Sequence, residues 1–148
     1  MAFSEQRVVL SHVFDAPRER VWRAWVEPEL ISQWWGPDGV AVPLSSIEVD
    51  PRTGGTFKLT MHVAEYDMDV AMDSRFVEVA EHELLRFTEP TPCLPEMRSV
   101  DGLVTFADTP GGTEVGLDIV MVTSSDIREE SEIGWGQSFQ RLAKVLAD

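Results

Sequence analysis

Apolar and polar residues alternate along most of the middle of the chain. Every second residue of the segment 56–63 is apolar, and the segment 68–76 repeats the pattern. Successive side chains of a β-strand point to opposite faces, so a period of two predicts strands with one buried face. By the same reasoning we predict strands at residues 7–14, 46–50, 83–88 and 100–108, and a last strand through 115–121.

Tight turns separate these segments. Pro51-Arg52-Thr53-Gly54-Gly55 and Asp108-Thr109-Pro110-Gly111-Gly112 both interrupt the alternation with residues typical of hairpin connections. Strands at such short spacing, joined by such turns, are typical of an antiparallel meander. With no composition break that marks a linker, we expect one domain over residues 1–148.

The C-terminal segment 124–148 has a helical period instead. Trp135, Phe139, Leu142 and Leu146 follow one another at spacings of four, three and four, which places them on one stripe of a long helix. A helix with one apolar stripe must pack against the sheet, and the fold class is therefore α+β. Towards its start the stripe continues through the smaller Ser131, so we expect the helix and sheet to leave a hollow there.

Two short helices are predicted between the first strand and the rest of the sheet. Asp15 is placed to cap the first helix, and Pro17 suits its first turn. Pro28 restarts the chain, and a second helix ends at Trp34-Trp35-Gly36-Pro37. We expect one of these tryptophans to anchor the helix in the core and the other to border the hollow.

Composition excludes several classes of function. The formal net charge is −14, with 12 basic residues against 26 acidic ones, which argues against binding to nucleic acid or to an anionic membrane surface. The single cysteine, Cys93, cannot form an internal disulfide, as is usual in a reducing compartment. The N-terminal residues lack the pattern of a secretory signal. We therefore expect a cytoplasmic protein.

Several short motifs together resemble a known family. They are Phe14-Asp15-Ala16-Pro17, Val21-Trp22, Trp34-Trp35-Gly36-Pro37, Asp50-Pro51-Arg52, Gly54-Gly55 and Gly134-Trp135. The chain from Arg7 to Leu146 is similar to the family named after the activator of a heat-shock chaperone's ATPase, within the SRPBCC superfamily. The resemblance implies a helix-grip (START-like) fold. In that fold a curved antiparallel sheet of six to seven strands surrounds a long C-terminal helix, and two short helices follow the first strand.

Common catalytic and metal-binding motifs are missing from the sequence. The three histidines, His12, His62 and His82, lie in separate strands or turns without the spacing of metal ligands. No nucleophile elbow and no glycine-rich loop that opens a helix occur. We therefore expect no catalytic residue, metal or cofactor.

The hollow between helix and sheet is the candidate site. A mostly apolar pocket with a few polar groups is the usual form of a small-molecule site, and methionines adapt to irregular contents. Relatives in the superfamily bind lipids, sterols, polyketides or hormones there, so the resemblance implies an apolar ligand. The predicted ligand-binding residues are Trp35, Met61, Met72, Phe76, Phe87, Phe106, Ser131, Trp135 and Phe139.

Two alternatives stay open. The first is an interaction module, either co-chaperone-like or a homodimer formed through a sheet edge. The second is a cyclase or dehydratase that uses His12, Arg128 or a buried carboxylate, which requires at least two polar groups to converge inside the cavity.

Overall fold

The alternating segments pair into one curved antiparallel sheet, and three α-helices pack against one of its faces. The computed structural model describes residues 2–147. In chain order its elements are β1 (Ser4–Phe14), α1 (Arg18–Val26), α2 (Pro28–Trp34), β2 (Val40–Ala41), β3 (Glu48–Val49), β4 (Thr56–Val63), β5 (Met68–Ala80), β6 (Leu84–Glu89), β7 (Met97–Thr109), β8 (Gly112–Thr123) and α3 (Arg128–Ala147).

The strand order confirms the predicted meander. Neighbours run β1-β8-β7-β6-β5-β4, so the first strand closes against the last, and all of these pairs are antiparallel. The two-residue strands β2 and β3 both pair with β4 and together form one interrupted edge. This gives six long strands and a broken seventh, as the helix-grip fold predicts.

Alternation along each strand sets which face is buried. In β8 the side chains of Val115, Leu117, Ile119 and Met121 are buried, while the residues between them are more exposed. Because the pleat turns the same face of every strand towards the helices, one continuous core forms between the sheet and the helices. The predicted inward set of this strand is confirmed.

Large aromatic side chains join the helices to that core. Trp22 and Trp25 of α1 are buried, and the Trp34 indole N–H donates to the carbonyl oxygen of Ala24 at 2.8 Å, which ties α2 to α1. On α3 the residues Phe139 and Leu142 are buried, as the helical stripe predicts. No helix within residues 2–147 is long and apolar enough to cross a membrane.

The long helix begins later than the sequence predicts. Its first residue is Arg128, whereas we predicted residue 124; the predicted end, Asp148, lies outside the described residues. The backbone N–H of Ser124 donates to Glu96 O at 2.8 Å, and that of Ile127 donates to Gln6 Oε1 at 3.0 Å. These contacts tie the segment 124–127 to Glu96 and Gln6 outside a helix, and the helix starts only after them.

Two smaller predictions are also wrong in detail. Asp15 does not cap α1, because the helix starts at Arg18 and Pro17 occupies the N-cap position. The predicted strand 46–50 is reduced to Glu48–Val49. Ser46 instead closes a short 3₁₀ turn, in which its hydroxyl donates to Pro43 O at 2.7 Å and accepts from the Thr60 N–H at 3.1 Å.

Arg141 of α3 fixes the turn that follows α2. Its Nη1 lies 2.8 Å from Gly36 O and 3.2 Å from the carbonyl oxygens of Trp35 and Val40. One helical turn earlier, Gln137 Oε1 accepts from the Asp38 N–H at 3.0 Å. Carbonyls at the end of a helix have no partner within the helix, so the guanidinium both satisfies them and joins α2 to α3.

We predict that Arg141→Met destabilises the fold by about 2–3 kcal/mol, because several carbonyl oxygens lose a charged donor. Urea unfolding followed by tryptophan fluorescence measures the change. Arg75→Met removes an exposed arginine of β5 and is the matched control, with an expected change within about 0.5 kcal/mol. Equal effects of the two substitutions would show that the turn is held by other contacts.

Candidate functional site

A cavity of about 400 Å³ lies between the sheet and the N-terminal half of α3. Its size is within the range of small-molecule pockets. The C-terminal half of the same helix packs directly against the core, where Phe139, Leu142 and Leu146 are buried. The space is therefore confined to the part of the helix where the apolar stripe gives way to small residues.

The sheet supplies an apolar wall. Inward-facing side chains from five neighbouring strands line the cavity: Met61, Val70, Met72, Phe87, Val100, Ile119 and Met121. Three of them are methionines, whose unbranched thioether chains adapt to contents of irregular shape. This wall favours apolar ligand surface over polar surface.

The helical wall combines small side chains with one tryptophan and, near the start of α3, Glu130. Ser131, Gly134, Trp135 and Ser138 face the cavity. The Ser138 hydroxyl is used within the helix, where it donates to Gly134 O at 3.0 Å. The Ser131 hydroxyl donates to the sulfur of Met121 at 3.8 Å, and sulfur is a weak acceptor. Ser131 is therefore the helix hydroxyl that is freest to bond a ligand.

Stacked aromatic rings close the end of the cavity next to the short helices. The ring centroids of Trp35 and Trp135 are 5.4 Å apart in an edge-to-face arrangement, and Trp135 stacks on Trp25 at 6.3 Å. Trp35 in turn meets Phe57 edge to face at 5.4 Å. Both tryptophans at the cavity surface are thus held rigidly by neighbouring rings.

Phe87 lies on the sheet wall because Gly102 leaves room for it. The two residues are directly opposite each other on β6 and β7. A Cβ atom at position 102 would overlap the phenyl ring. A glycine inside a strand often marks such a close approach, and here it lets an aromatic ring lie flat on the sheet.

Glu89 places a carboxylate in this otherwise apolar wall. It is only 8% exposed, and its Oε2 accepts a hydrogen bond from the Asp73 backbone N–H at 2.7 Å. Burial raises the pKa of Glu89; the Asp73 N–H opposes that rise, and the Asp73 carboxylate adds to it. A buried acid is therefore available at the cavity surface.

The proline-rich loop between β6 and β7 borders the opening. Pro92, Cys93, Leu94 and Glu96 line the cavity from this side, and Cys93 is exposed. The loop is anchored at one end, because Glu96 O accepts hydrogen bonds from the Thr123 hydroxyl at 3.0 Å and from the Ser124 N–H at 2.8 Å. The loop therefore forms one border of the opening and is held in place next to β8.

The structure brings six of the nine predicted ligand-binding residues to the cavity surface. They are Trp35, Met61, Met72, Phe87, Ser131 and Trp135. The other three, Phe76, Phe106 and Phe139, lie in the packed core outside the lining. Their rings pack against other rings of the protein. The ring centroids of Phe76 and Phe57 are 5.2 Å apart. Those of Phe106 and Trp22 are 5.3 Å apart, and those of Phe139 and Phe14 are 5.7 Å apart.

The polar groups that the sequence suggested for catalysis lie elsewhere. His12 is exposed near the end of β1, and its ring centroid lies 4.6 Å from that of Phe14. Arg128 is exposed at the start of α3. Neither lines the cavity. Ser74 of β5 is buried, but it also lies outside the lining.

Sequence reasoning missed Glu89 as a cavity residue. The predicted strand stopped at residue 88, and position 89 was assigned to the loop. The signal was present, because Leu85, Phe87 and Glu89 are alternate residues and share one face of β6. A strand extended by one residue would have turned this carboxylate inward.

Comparison with protein families gives one match over most of the chain. The family model described as "Activator of Hsp90 ATPase homolog 1-like protein" matches residues 15–147. No curated protein matches the chain.

Solved structures share the fold. A crystal structure of a protein from Chromobacterium violaceum is 24% identical, with a TM-score of 0.87 over 96% of this chain and 97% of that one. One from Nitrosomonas europaea is 25% identical, with a TM-score of 0.78 over 95% and 94%. The solution structure of an AHSA1-like protein from Aeromonas hydrophila is 20% identical, with a TM-score of 0.78 over 96% and 92%.

We predict that Glu89→Gln makes the protein more stable than the wild type at pH 7. Because the folded state raises the pKa of this carboxyl, the folded state holds its proton more tightly than the unfolded state. The free energy of unfolding therefore falls as the pH rises from the ordinary to the raised pKa, and the loss persists above it. The glutamine side chain does not titrate in this range, so its contribution to the free energy of unfolding does not change with pH. It also keeps an oxygen that accepts from the Asp73 N–H.

Urea unfolding of both proteins between acid and neutral pH tests this. The stability difference should shrink towards zero as the pH falls below the ordinary range of a glutamate. Glu114→Gln removes an exposed carboxylate of β8 outside the cavity lining and controls for net charge. A difference at position 89 that is the same at every pH would contradict the prediction.

Proposed function

The chain belongs to the activator of Hsp90 ATPase homolog 1-like family, and we propose that it binds a small, largely apolar molecule in the cavity between α3 and the sheet. One observation carries the proposal. The space of about 400 Å³ is lined mainly by apolar side chains and lies beside a core that is otherwise closely filled. An apolar cavity of this size reduces stability unless something occupies it, since its walls lack contacts on one side.

The character of the lining supports an apolar occupant. Methionines from the sheet and the rings of Trp35 and Trp135 offer a large apolar surface. Burial of a ligand against such a surface is favourable by roughly 25 cal/mol for each Å² removed from water. The few polar groups, among them Ser131 and Glu89, would orient the ligand rather than supply most of the affinity.

The enzyme alternative has less support. It required two converging polar groups, and of those suggested by the sequence His12 and Arg128 lie outside the cavity lining. Glu89 is the buried carboxylate that remains. We therefore propose binding without chemical conversion.

Homodimer formation is a second candidate, supported by one feature of the sheet. Among the described residues β1 is an edge strand, and its outer face carries Val9 at 63% and Val13 at 45% exposure. An unpaired edge with apolar side chains is a template for pairing with another chain. Sedimentation equilibrium separates the two states, and a monomer mass at high protein concentration would remove this candidate.

We place the protein in the cytoplasm. The proposal rests on the single free Cys93, which is exposed and would meet an oxidising environment directly in a secreted protein.

We predict that Ser131→Phe abolishes binding of a neutral apolar dye such as Nile red, because the added ring occupies the cavity. For the unmodified protein, a dye concentration of 100 times Kd should add about 2.7 kcal/mol of stability and raise the melting temperature. Fluorescence titration and thermal unfolding, run in parallel, measure both effects.

Gln140→Phe is the matched control, because it adds the same ring to an exposed position on the same helix outside the cavity lining. It should keep the affinity of the unmodified protein. If both phenylalanine variants bind the dye equally, the dye is bound at the surface and the cavity is not the site. If the unmodified protein binds no dye and gains no thermal stability from a natural lipid extract, the proposed function is wrong.

A further inference from the structure

Every charged residue that lines the cavity is acidic. Glu89 lies in the sheet wall, Glu96 in the proline-rich loop and Glu130 on α3, and no lysine, arginine or histidine is among the lining residues. A site for a fatty acid or another anion needs a cationic or amide partner for the ligand's charge. The described lining offers the opposite sign, so the polar end of the ligand is not an anion.

Glu89 is the most deeply placed of the three carboxylates. It is more than nine-tenths buried, and its Oε2 accepts from the Asp73 N–H at 2.7 Å. Within residues 2–147 no side chain donates a hydrogen bond to it. A buried carboxylate with unused acceptor capacity is costly unless a donor meets it, and a ligand in the cavity can be that donor.

Aromatic faces lie in the same cavity as the carboxylate. Phe87 is two residues before Glu89 on the same face of β6, and Trp35 and Trp135 line the same cavity. Aromatic rings attract a cation through their negative faces, most strongly when the site is desolvated. A cavity that holds a buried carboxylate and aromatic rings therefore favours a positively charged nitrogen over a neutral hydroxyl group.

A divalent metal ion does not fit these residues. Among the described residues, no three side chains of the types that bind metals are grouped closely enough to hold an ion. The three cavity carboxylates are thus spread around the wall instead of converging. One of them can pair with a single positive group, while the others add a favourable negative potential at the opening.

We propose that the ligand is an apolar molecule that carries a protonated amine, with the ammonium group donating to Glu89 and the apolar body lying against the methionines and tryptophans. The proposal rests on the proposed function, because it assigns the ligand class of the same cavity. It adds to the proposed function one specific contact, the hydrogen bond to Glu89, and a positive charge on the ligand.

Three ligands with the same alkyl chain test the idea: decylamine, decanol and decanoate, each below its critical micelle concentration at pH 7. Isothermal titration calorimetry gives the affinities. Decylamine should bind about tenfold to a hundredfold more tightly than decanol, which is the usual effect of one hydrogen bond between charged groups. Decanoate should bind more weakly than decanol.

Two matched variants locate the preference. Glu89→Gln keeps the shape of the side chain and removes its charge, so the affinities for decylamine and decanol should become equal within a few-fold. Glu114→Gln removes the same charge from an exposed position outside the cavity and should keep the preference. Far-ultraviolet circular dichroism confirms that each variant is folded.

Each result that differs from these expectations contradicts one specific claim. If decanol binds as tightly as decylamine, the amine assignment is wrong while the apolar cavity stands. If the amine preference survives in Glu89→Gln, it comes from the overall negative charge and the assignment is again wrong. If none of the three ligands binds, the proposed function fails together with the inference.

If Glu89→Gln does not fold, the salt dependence of binding still tests whether decylamine pairs with Glu89 inside the cavity. The affinity of the unmodified protein for decylamine is measured at rising sodium chloride concentration. A pair buried in the cavity is screened weakly and should keep its advantage over decanol, whereas attraction to the exposed surface charge is lost. Loss of the advantage in high salt would overturn the assignment.

Discussion

The contact between Arg141 and the carbonyl groups at and after the end of α2 joins α2 to α3. α2 is only seven residues long, and its end would otherwise leave several carbonyls without partners. The guanidinium lies within 3.5 Å of carbonyl oxygens from five residues, Gln33, Trp35, Gly36, Pro37 and Val40. Because Trp35 is part of this turn and also borders the cavity, the contact sets the position of one cavity wall relative to α3.

Uneven filling of the space between α3 and the sheet then produces the cavity. At the C-terminal half of the helix, Phe139 and Leu142 meet a core of large rings that includes Trp25 and Phe14. Those rings keep the helix at a distance from the sheet that Ser131 and Gly134 are too small to fill. A straight helix cannot bend locally to close such a gap, so the space persists beside the smaller residues. The cavity is therefore a consequence of where large and small residues fall along one helix.

The sequence predicted the architecture well and the site only partly. Alternation and helical spacing are local patterns, which is why the strands and the stripe through Phe139 were found. They do not show how deep along a strand a residue lies. Phe76 and Phe106 were therefore assigned to the ligand, although Phe76 stacks on Phe57 and Phe106 contacts Trp22 and Trp25 of α1. Arg141 left no signal, because its acceptors are backbone carbonyls that no residue pattern encodes. Glu89 was missed for a different reason, since the prolines that follow it obscured the end of its strand.

Several features that reduce stability in this fold lie in or beside the cavity. The cavity leaves apolar walls without contacts, and Glu89 is a buried acid whose raised pKa records the cost of its burial. Gly134 and Gly136 lie inside a helix, where each glycine costs roughly 1 kcal/mol relative to alanine. An added methyl at Gly134 would make only an ordinary contact with Pro37, and one at Gly136 would meet nothing within 4 Å, so packing alone does not require either glycine. When several departures from good packing lie in or beside one cavity, a role for that cavity explains them better than separate accidents of sequence do.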